Sequence, residues 1–369
     1  IAPAPFLETL HLETRIYDDE SLNSDSVIFR DEPPSSLHTL YLKNFSLPPT
    51  SILFTPSLTS MSLVDCSEVW ETFAEMRQTL ARMPLLQNVC LRDSLPDIST
   101  TPSPTLLSLP HLHTLLLGGR APQVAESLRF ISTSTVTSLD LELDSIGSDA
   151  MSRSDTLHNV LSQWIKTSPS TYHSLSFLRG TLPLQTEIIF DPSTSHSDGS
   201  AGRKLTVRVV LPAAVASTFF WDLLPPKLGI FSQLRVLVVS ALRFNSLWLW
   251  QELSAVANEI QEITVFGFNA CHGLLNAFQS GASSPNPLTL FPKLAHLRLQ
   301  NFPFKHTRSR DSPSQFRSLV LDLQRRRGRG STCQLSISNC VLTAKEIKEL
   351  RNTVGADRFH WDGKVSLVA

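Results

Sequence analysis

The amino-acid sequence predicts a mixed α/β fold in which short parallel strands alternate with helices. Three observations support this prediction: an apolar motif recurs along the chain, helical periodicity separates several of its copies, and Ser/Pro-rich segments account for the uneven spacing between them. The 369 residues are too many for one ordinary compact core, whereas the 41% of hydrophobic residues can supply a core along the full length. We therefore expect a single irregular repeat domain over residues 1–369.

The repeated motif has the form L-x-x-L-x-L. Its second and third apolar residues lie two positions apart, so both side chains point to the same face of a strand. One short strand cannot bury that face alone, but a stack of copies can. The pattern is typical of leucine-rich repeats and predicts a solenoid of horseshoe shape, with short parallel strands on the concave face and helices and loops on the convex face. The copies are Leu7-Leu10-Leu12, Leu37-Leu40-Leu42, Leu58-Met61-Leu63, Leu86-Val89-Leu91, Leu112-Leu115-Leu117, Val136-Leu139-Leu141, Tyr172-Leu175-Phe177, Leu234-Leu237-Val239, Ile260-Ile263-Val265, Leu294-Leu297-Leu299 and a partial Leu335-Ile337.

Helical spacing of apolar residues lies between several of the strands. It indicates helices over residues 69–83, 157–165, 316–323 and 347–350. Ser67 is expected to cap the first of these helices, and Thr343 with Glu346 forms a capping box before the last. In the middle of the chain, residues 187–211 predict an irregular hairpin insertion of two short strands.

The cysteines are interpreted as structural residues. Cys66 lies eight positions after Leu58, and Cys340 occupies the same position relative to the partial repeat Leu335-Ile337; the chain closes a turn there, and we expect both cysteines to be buried. The five cysteines are too few and too scattered for a disulfide framework, and no C-x-x-C pair could hold zinc. This usage predicts reduced thiols in a cytoplasmic or nuclear protein.

Side chains that point away from the paired apolar residues are expected to line the concave face. They mix hydroxyl, charged and aromatic groups without a dominant sign, which suits recognition of a protein surface, because aromatic residues and arginine tend to anchor such contacts. For most individual positions we favour an ordinary solvated strand face, whereas the positions taken as a group form the predicted binding surface. The predicted partner-binding residues are His11, Tyr41, Lys43, Arg92, Asp140, Glu142, Phe266 and Arg298.

Little in the sequence supports catalysis or a bound cofactor. Asp140 and Glu142 share a strand face, but a repeat naturally places polar residues two apart, so we interpret them as surface carboxylates. His111 and His113 flank an apolar residue without a third ligand nearby and are interpreted as surface histidines. The sequence contains neither a nucleophile-elbow motif nor a phosphate-binding glycine loop. We therefore predict no enzyme activity, no catalytic or metal-binding residues and no cofactor.

Charge and hydropathy limit the remaining partners. The net charge of −1 argues against a dedicated polyanion binder, and no apolar stretch reaches the roughly 20 residues that a membrane span needs. The cluster Arg325-Arg326-Arg327-Gly328-Arg329 could bind nucleic acid, but it also lies where cations complement the end of the predicted helix, and we favour that interpretation. Of Trp248 and Trp250, we expect one to pack into the core.

The segments LPHLHTLLLGG and FPKLAHLRLQNF, together with the long Ser/Pro-rich insertions, resemble the repeat region of fungal, basidiomycete-type F-box proteins. In that family an N-terminal F-box docks on the adaptor of a ubiquitin ligase, and the repeats capture the substrate. The resemblance implies a protein substrate on the concave face, and contact with the ligase adaptor only through an F-box upstream of this chain. Residues 224–231 are similar to the opening of an F-box, but the repeat that begins at Leu234 leaves no room for the rest of one.

Two alternatives to the F-box interpretation stay open. The first is a leucine-rich-repeat scaffold or sensor that has no connection with ubiquitination. The second is a parallel β-helix enzyme that acts on polysaccharide; such a fold would lack helices between its strands and would gather acidic residues in one groove.

Overall fold

The structure is a computed structural model that describes residues 6–14, 34–66, 68–97, 106–143, 161, 172–179, 185–192, 204–210, 231–240, 247–283, 290–302, 304, 312–330, 332–340 and 342–362. The chain divides into two compact units. Unit 1 contains residues 1–169, 197–212 and 222–224, and unit 2 contains residues 170–196, 213–221 and 225–369.

Strands and helices alternate along much of the chain, as the sequence predicted for a mixed α/β fold. The strands in the described residues are β1 (Thr9–Glu13), β2 (Thr39–Lys43), β3 (Ser60–Val64), β4 (Asn88–Arg92), β5 (Thr114–Gly119), β6 (Ser138–Leu143), β7 (Tyr172–Arg179), β8 (Gln185–Pro192), β9 (Lys204–Val210), β10 (Val236–Val239), β11 (Glu262–Phe266), β12 (His296–Gln300), β13 (Gln334–Ser338) and β14 (Phe359–Trp361). The α-helices are α1 (Phe73–Ala81), α2 (Ala121–Phe130), α3 (Leu247–Val256), α4 (Phe268–Ser283), α5 (Ser312–Gly328) and α6 (Ala344–Val354). Short 3₁₀ turns are formed by Phe231–Gln233 and Ala356–Arg358.

Unit 1 is built around a parallel sheet. Strands β1 to β6 pair with one another in chain order, and β9 pairs in parallel with β6. The second apolar residues of the motif stand opposite one another in this register, for example Leu40, Met61 and Val89. From β2 to β6, both apolar residues of each pair are at most 2% exposed. Each buried leucine contributes roughly 1.5–3 kcal/mol relative to exposure, so the predicted core is confirmed here.

Unit 2 repeats the same arrangement with one antiparallel strand. Strand β7 pairs in parallel with β10, and β10 to β14 follow in chain order, all parallel. Within the predicted hairpin insertion of residues 187–211, β8 pairs antiparallel with β7, the strand before it, while β9 pairs with β6. Strands β7 and β8 form an antiparallel hairpin.

A residue with a left-handed backbone follows several of the strands directly. Asn44, Asp65 and Asp93 in unit 1, and Asn301 and Asn339 in unit 2, have φ angles between 49° and 55°. Asparagine and aspartate tolerate this conformation better than most residues because their short side chains can form local hydrogen bonds. The backbone N–H groups of the first four donate to a carbonyl at or next to the end of the following strand, so the backbone ladder extends into the turn.

The turn cysteines are buried, as predicted. Cys66 and Cys340 are each 1% exposed, and their Sγ atoms lie 3.2 Å from the carbonyl oxygens of Val64 and Ser338. All five cysteines of the chain are free thiols. Burial raises the pKa of the Cys333 thiol to about 11 and also raises the pKa of Cys66.

The helices agree with the sequence prediction in part. The capping box of α6 is confirmed, since the Thr343 hydroxyl accepts from the Glu346 N–H while the Glu346 carboxylate accepts from the Thr343 N–H. Helix α1 begins later than predicted and is capped by Thr72, so Ser67 as its cap was wrong. Of the predicted helix over 157–165, only Leu161 is described, in a helical and buried position; the rest lies outside the described residues.

Three helices were missed. Helix α2 has Pro122 in its first turn, shortly after two consecutive glycines. Glycine and proline this close together are typical of a turn, which is why the helix was missed. Proline also fits the first turn of a helix, and that is its position here. Helix α4 begins directly after Gly267, without the Ser, Thr, Asp or Asn that usually marks a helix start, whereas Ser246 before α3 is such a residue and was overlooked. In each case the segment is helical because its apolar face packs against the rest of the protein.

Candidate protein-binding face

The polar face of unit 1 consists of the side chains on β1 to β6 that point away from the core. Because these strands are in register, the predicted residues fall into two rows. One row contains His11, Tyr41 and Asp140, and the other contains Lys43, Arg92 and Glu142 together with Glu13. The structure thus places six of the eight predicted residues on one face of one unit.

An ion pair joins β1 and β2 on this face. The Lys43 Nζ lies 2.6 Å from the Glu13 Oε1, and both side chains are exposed to solvent. The hydrogen bond with Lys43 lowers the pKa of Glu13, and the same bond raises the pKa of Lys43. The lysine that the sequence offered as a partner contact is therefore already engaged with a neighbouring strand.

A second ion pair in the same row spans strand β5 at a position where β5 has a glycine and therefore no side chain. The Arg92 Nε on β4 lies 2.7 Å from the Glu142 Oε2 on β6, and the intervening position on β5 is Gly118. A Cβ atom at Gly118 would lie 3.1 Å from the Arg92 Cγ, which is closer than an ordinary van der Waals contact, so a side chain at this position would press on the arginine stem. The paired Nε and Oε2 atoms are shielded from solvent. Glu142 is thus the ion-pair partner of Arg92.

The other row carries aromatic and thiol groups. The rings of His11 and Tyr41 lie 4.1 Å apart between centroids, at an angle of 60°. Cys90 is half-buried, and desolvation raises the pKa of its thiol while a hydrogen bond with Ser62 opposes the shift. A thiol with a raised pKa is a poor nucleophile at neutral pH, so Cys90 is not activated for reaction.

The two remaining predicted residues lie in unit 2. Arg298 on β12 forms an ion pair with Glu262 on β11, with 3.1 Å between the Nη2 and Oε1 atoms. Phe266, at the end of β11, is half-buried beside Gly267. The sequence pattern indicated both arginines and Glu142 but did not show which carboxylate pairs with which arginine, because only the strand register shows which positions are neighbours.

The arginine cluster proves to be structural at two of its positions. Arg325, Arg326 and Arg327 lie in the last turn of α5, as predicted. Arg326, however, is 1% exposed and forms an ion pair of 2.6 Å with Asp322, so it is no surface cation. Arg327 donates to the carbonyl oxygen of Asn352 at 3.1 Å, near the end of α6.

The two tryptophans and the two histidines lie in the environments that the sequence predicted. Trp250 is fully buried and packs edge-to-face on Phe291, whereas Trp248 is 44% exposed, so the prediction that one tryptophan joins the core is confirmed. His111 and His113 are exposed on either side of the buried Leu112. Within the described ranges, no group of three His, Cys, Asp or Glu side chains could hold a metal ion, and no helix combines the length and apolar character that a membrane crossing requires.

No family model, curated protein or solved structure matches this chain. The functional interpretation therefore depends on the geometry of the face and on the physical chemistry of its side chains.

Proposed function

We propose that the chain is a leucine-rich-repeat solenoid that binds another protein on its polar face, as the substrate-recognition part of an F-box subunit of a ubiquitin ligase. The ligase adaptor would be contacted through an F-box upstream, and the protein would act in the cytoplasm or nucleus. The chain itself would carry out no catalysis and would need no cofactor.

The observation that carries the proposal is the series of parallel strands in each unit, which pair side by side in one register. In unit 1 one side of β1 to β6 is apolar core, and the other side presents aligned rows of mixed polar and aromatic groups. Side chains held on paired strands lose little conformational freedom when a partner binds, which favours affinity.

The ion pairs of the face support recognition of a protein in preference to a polyanion. Lys43 and Arg92 are neutralised by Glu13 and Glu142, so neither offers a free charge to a phosphate backbone. Their aliphatic stems and the adjoining His11–Tyr41 ring pair would supply contact area, and aromatic side chains are common energetic anchors of protein interfaces.

Site-specific photo-cross-linking tests the proposal in cells that produce the protein. A benzophenone amino acid replaces Tyr41 on the polar face or, as a matched control, the exposed Gln78 on α1 of the same unit. We expect one defined protein to be cross-linked from Tyr41 and not from Gln78. Equal cross-linking from both positions, or none from Tyr41, would remove the polar face as the binding surface.

A second step tests the connection with ubiquitination. The cross-linked protein should lose ubiquitin conjugates and gain half-life when the present protein is depleted, and the ligase adaptor should co-purify with the full-length protein. A cross-linked partner with unchanged ubiquitination and no adaptor would favour the scaffold or sensor alternative. The β-helix enzyme alternative is less favoured, because such a fold would have almost no helix, whereas the described residues include helices between or beside the strands.

A further inference from the structure

An open groove of about 720 Å³ lies in unit 2, between helices α5 and α6. The last two turns of α5 contribute Gln324, Arg327 and Gly328, and α6 contributes the rest of the lining. The lining positions of α6 are 345, 348, 349, 352 and 353, which recur at intervals of three or four residues and so share one side of the helix. The groove therefore follows most of the length of α6.

The groove is basic. Its lining carries three cationic side chains, Arg327, Lys345 and Lys348, against one carboxylate, Glu349. Both lysines are exposed, and none of the ion pairs among the described residues of unit 2 involves either of them. The other carboxylate near the start of α6, Glu346, is committed to the capping box of the helix. The positive charge of the groove is therefore only partly offset by the chain itself.

The arginine of the groove is held in place without losing its charge. The Arg327 Nη1 donates to the carbonyl oxygens of Asn352 at 3.1 Å and Thr353 at 3.2 Å, and both acceptors are neutral. A guanidinium has five N–H donors in a fixed planar fork, so N–H groups other than those of Nη1 can bind a carboxylate. The side chain is exposed and lines the groove. A cation that is already fixed loses less conformational freedom on binding than a mobile one.

The lysines of the groove lie where they do not stabilise their helix. Lys345 is in the first turn of α6, where the partial positive charge of the helix end disfavours a cation. Lys348 follows three positions later, and like charges at that spacing on a helix repel each other. The arginines in the last turn of α5 differ, because cations stabilise that end of a helix. Helix stability explains the arginines but not the lysines, and this observation, independent of the groove, indicates a ligand of negative charge.

We propose that the groove binds an acidic segment of polypeptide, whose carboxylates pair with Lys345, Lys348 and Arg327. An extended segment fits better than one small anion, because the cations are distributed along an open groove. A polypeptide fits better than a nucleic acid, because it can place an uncharged or basic side chain opposite Glu349, whereas a continuous phosphate backbone would be repelled there. The groove contains none of the predicted partner-binding residues, and its proposed role does not depend on ubiquitin chemistry.

Fluorescence anisotropy with labelled probes tests the proposal on the intact chain. In one peptide three glutamates alternate with serines, and in a second peptide glutamine replaces each glutamate. We expect the glutamate peptide to bind at least about tenfold more tightly than the glutamine peptide, with an affinity that falls as salt rises. A single-stranded DNA oligonucleotide of the same net charge should bind more weakly than the glutamate peptide.

Two double variants separate the groove from general basicity. Lys345→Gln/Lys348→Gln should weaken binding of the glutamate peptide about tenfold. As a matched control, Arg317→Gln/Arg351→Gln removes the same charge from exposed positions of the same two helices, outside the groove, and should leave binding within about twofold. Equal losses in the two variants, equal binding of the two peptides, or tighter binding of the oligonucleotide would each overturn the proposal.

Urea unfolding checks the argument from helix stability. Because the lysines oppose the helix end and repel each other, Lys345→Gln/Lys348→Gln should unfold at the same urea concentration as the intact chain or at a higher one. A lower midpoint would mean that the lysines serve the fold, and would overturn their assignment to a ligand.

Discussion

The buried ion pair of α5 gives the sharpest test of how unit 2 is held together. The Arg326 guanidinium binds Asp322 at 2.6 Å and donates to the carbonyl oxygens of Phe291 at 2.9 Å and Leu290 at 2.5 Å. Arg326→Met keeps most of the apolar stem but leaves a buried carboxylate and two carbonyls without their donor. Loss of one partner of a buried pair costs about 3–5 kcal/mol, so we expect the free energy of unfolding to fall by about 4 kcal/mol.

Urea unfolding followed by tryptophan fluorescence and far-UV circular dichroism measures this change. Trp250 is a local reporter, because its ring packs at 6.3 Å on Phe291, whose carbonyl Arg326 binds. The matched control is Arg325→Met in the same helical turn, where the side chain is half-exposed and the cost should stay within about 0.5 kcal/mol. Asp322→Leu added to Arg326→Met should recover part of the loss, because it removes the orphaned carboxylate. The reasoning fails if the two single arginine variants unfold at the same urea concentration.

The same variant has a defined pH dependence. Burial raises the pKa of Asp322, and Arg326 opposes that shift in the intact protein. Without the arginine, the folded-state pKa lies further above its unfolded value, so the folded state binds more protons between the two values and gains stability as pH falls. The deficit of Arg326→Met relative to the intact chain should therefore be smaller at pH 5 than at pH 8; a constant deficit across this range would contradict the assignment.

Three further predictions concern single positions. Gly118→Val places side-chain atoms against the Arg92 stem, so it should separate Arg92 from Glu142. We expect the free energy of unfolding to fall by about 1–3 kcal/mol, measured by thermal unfolding. An unchanged melting temperature would refute the inference that the Arg92–Glu142 ion pair needs the space above Gly118. A disulfide reagent should label Cys90 first in the folded protein, at a rate that still rises above pH 9, and the other four thiols only on unfolding; four fast thiols would disprove their burial. Thr343→Ala should cost about 1 kcal/mol by urea unfolding through loss of the α6 cap, while Thr343→Ser should restore most of it.

Much of the sheet could be predicted because its signal is local. A pair such as Met61 and Leu63, two positions apart, defines a strand and its buried face within six residues of sequence, and the strands appear where those pairs lie. The capping box at Thr343 was equally visible, since both partners lie within four residues. The prediction of buried turn cysteines succeeded for the same reason.

The contacts that shape the candidate face and unit 2 are long-range and could not be predicted in this way. The reach of Arg92 to Glu142 depends on the register of three strands and on the missing side chain of Gly118. Arg326 stands in a run of arginines at a helix end, and nothing in the local sequence distinguishes it from its neighbours; its burial follows from the helix face that packs beside Phe291. A repeat motif specifies which residues enter the core, but it does not specify which outward residues meet across the strands.

The pairing of strands in chain order has a consequence for how such a protein can change. In unit 1 the first apolar residues of successive repeats are separated by 21 residues between Leu37 and Leu58 and by 28 between Leu58 and Leu86, yet the strands they precede share one register. Insertions and deletions between strands are thus absorbed outside the sheet. The connections can diverge in length and composition, and so acquire new binding specificities, while the spacing of the outward-facing rows stays the same.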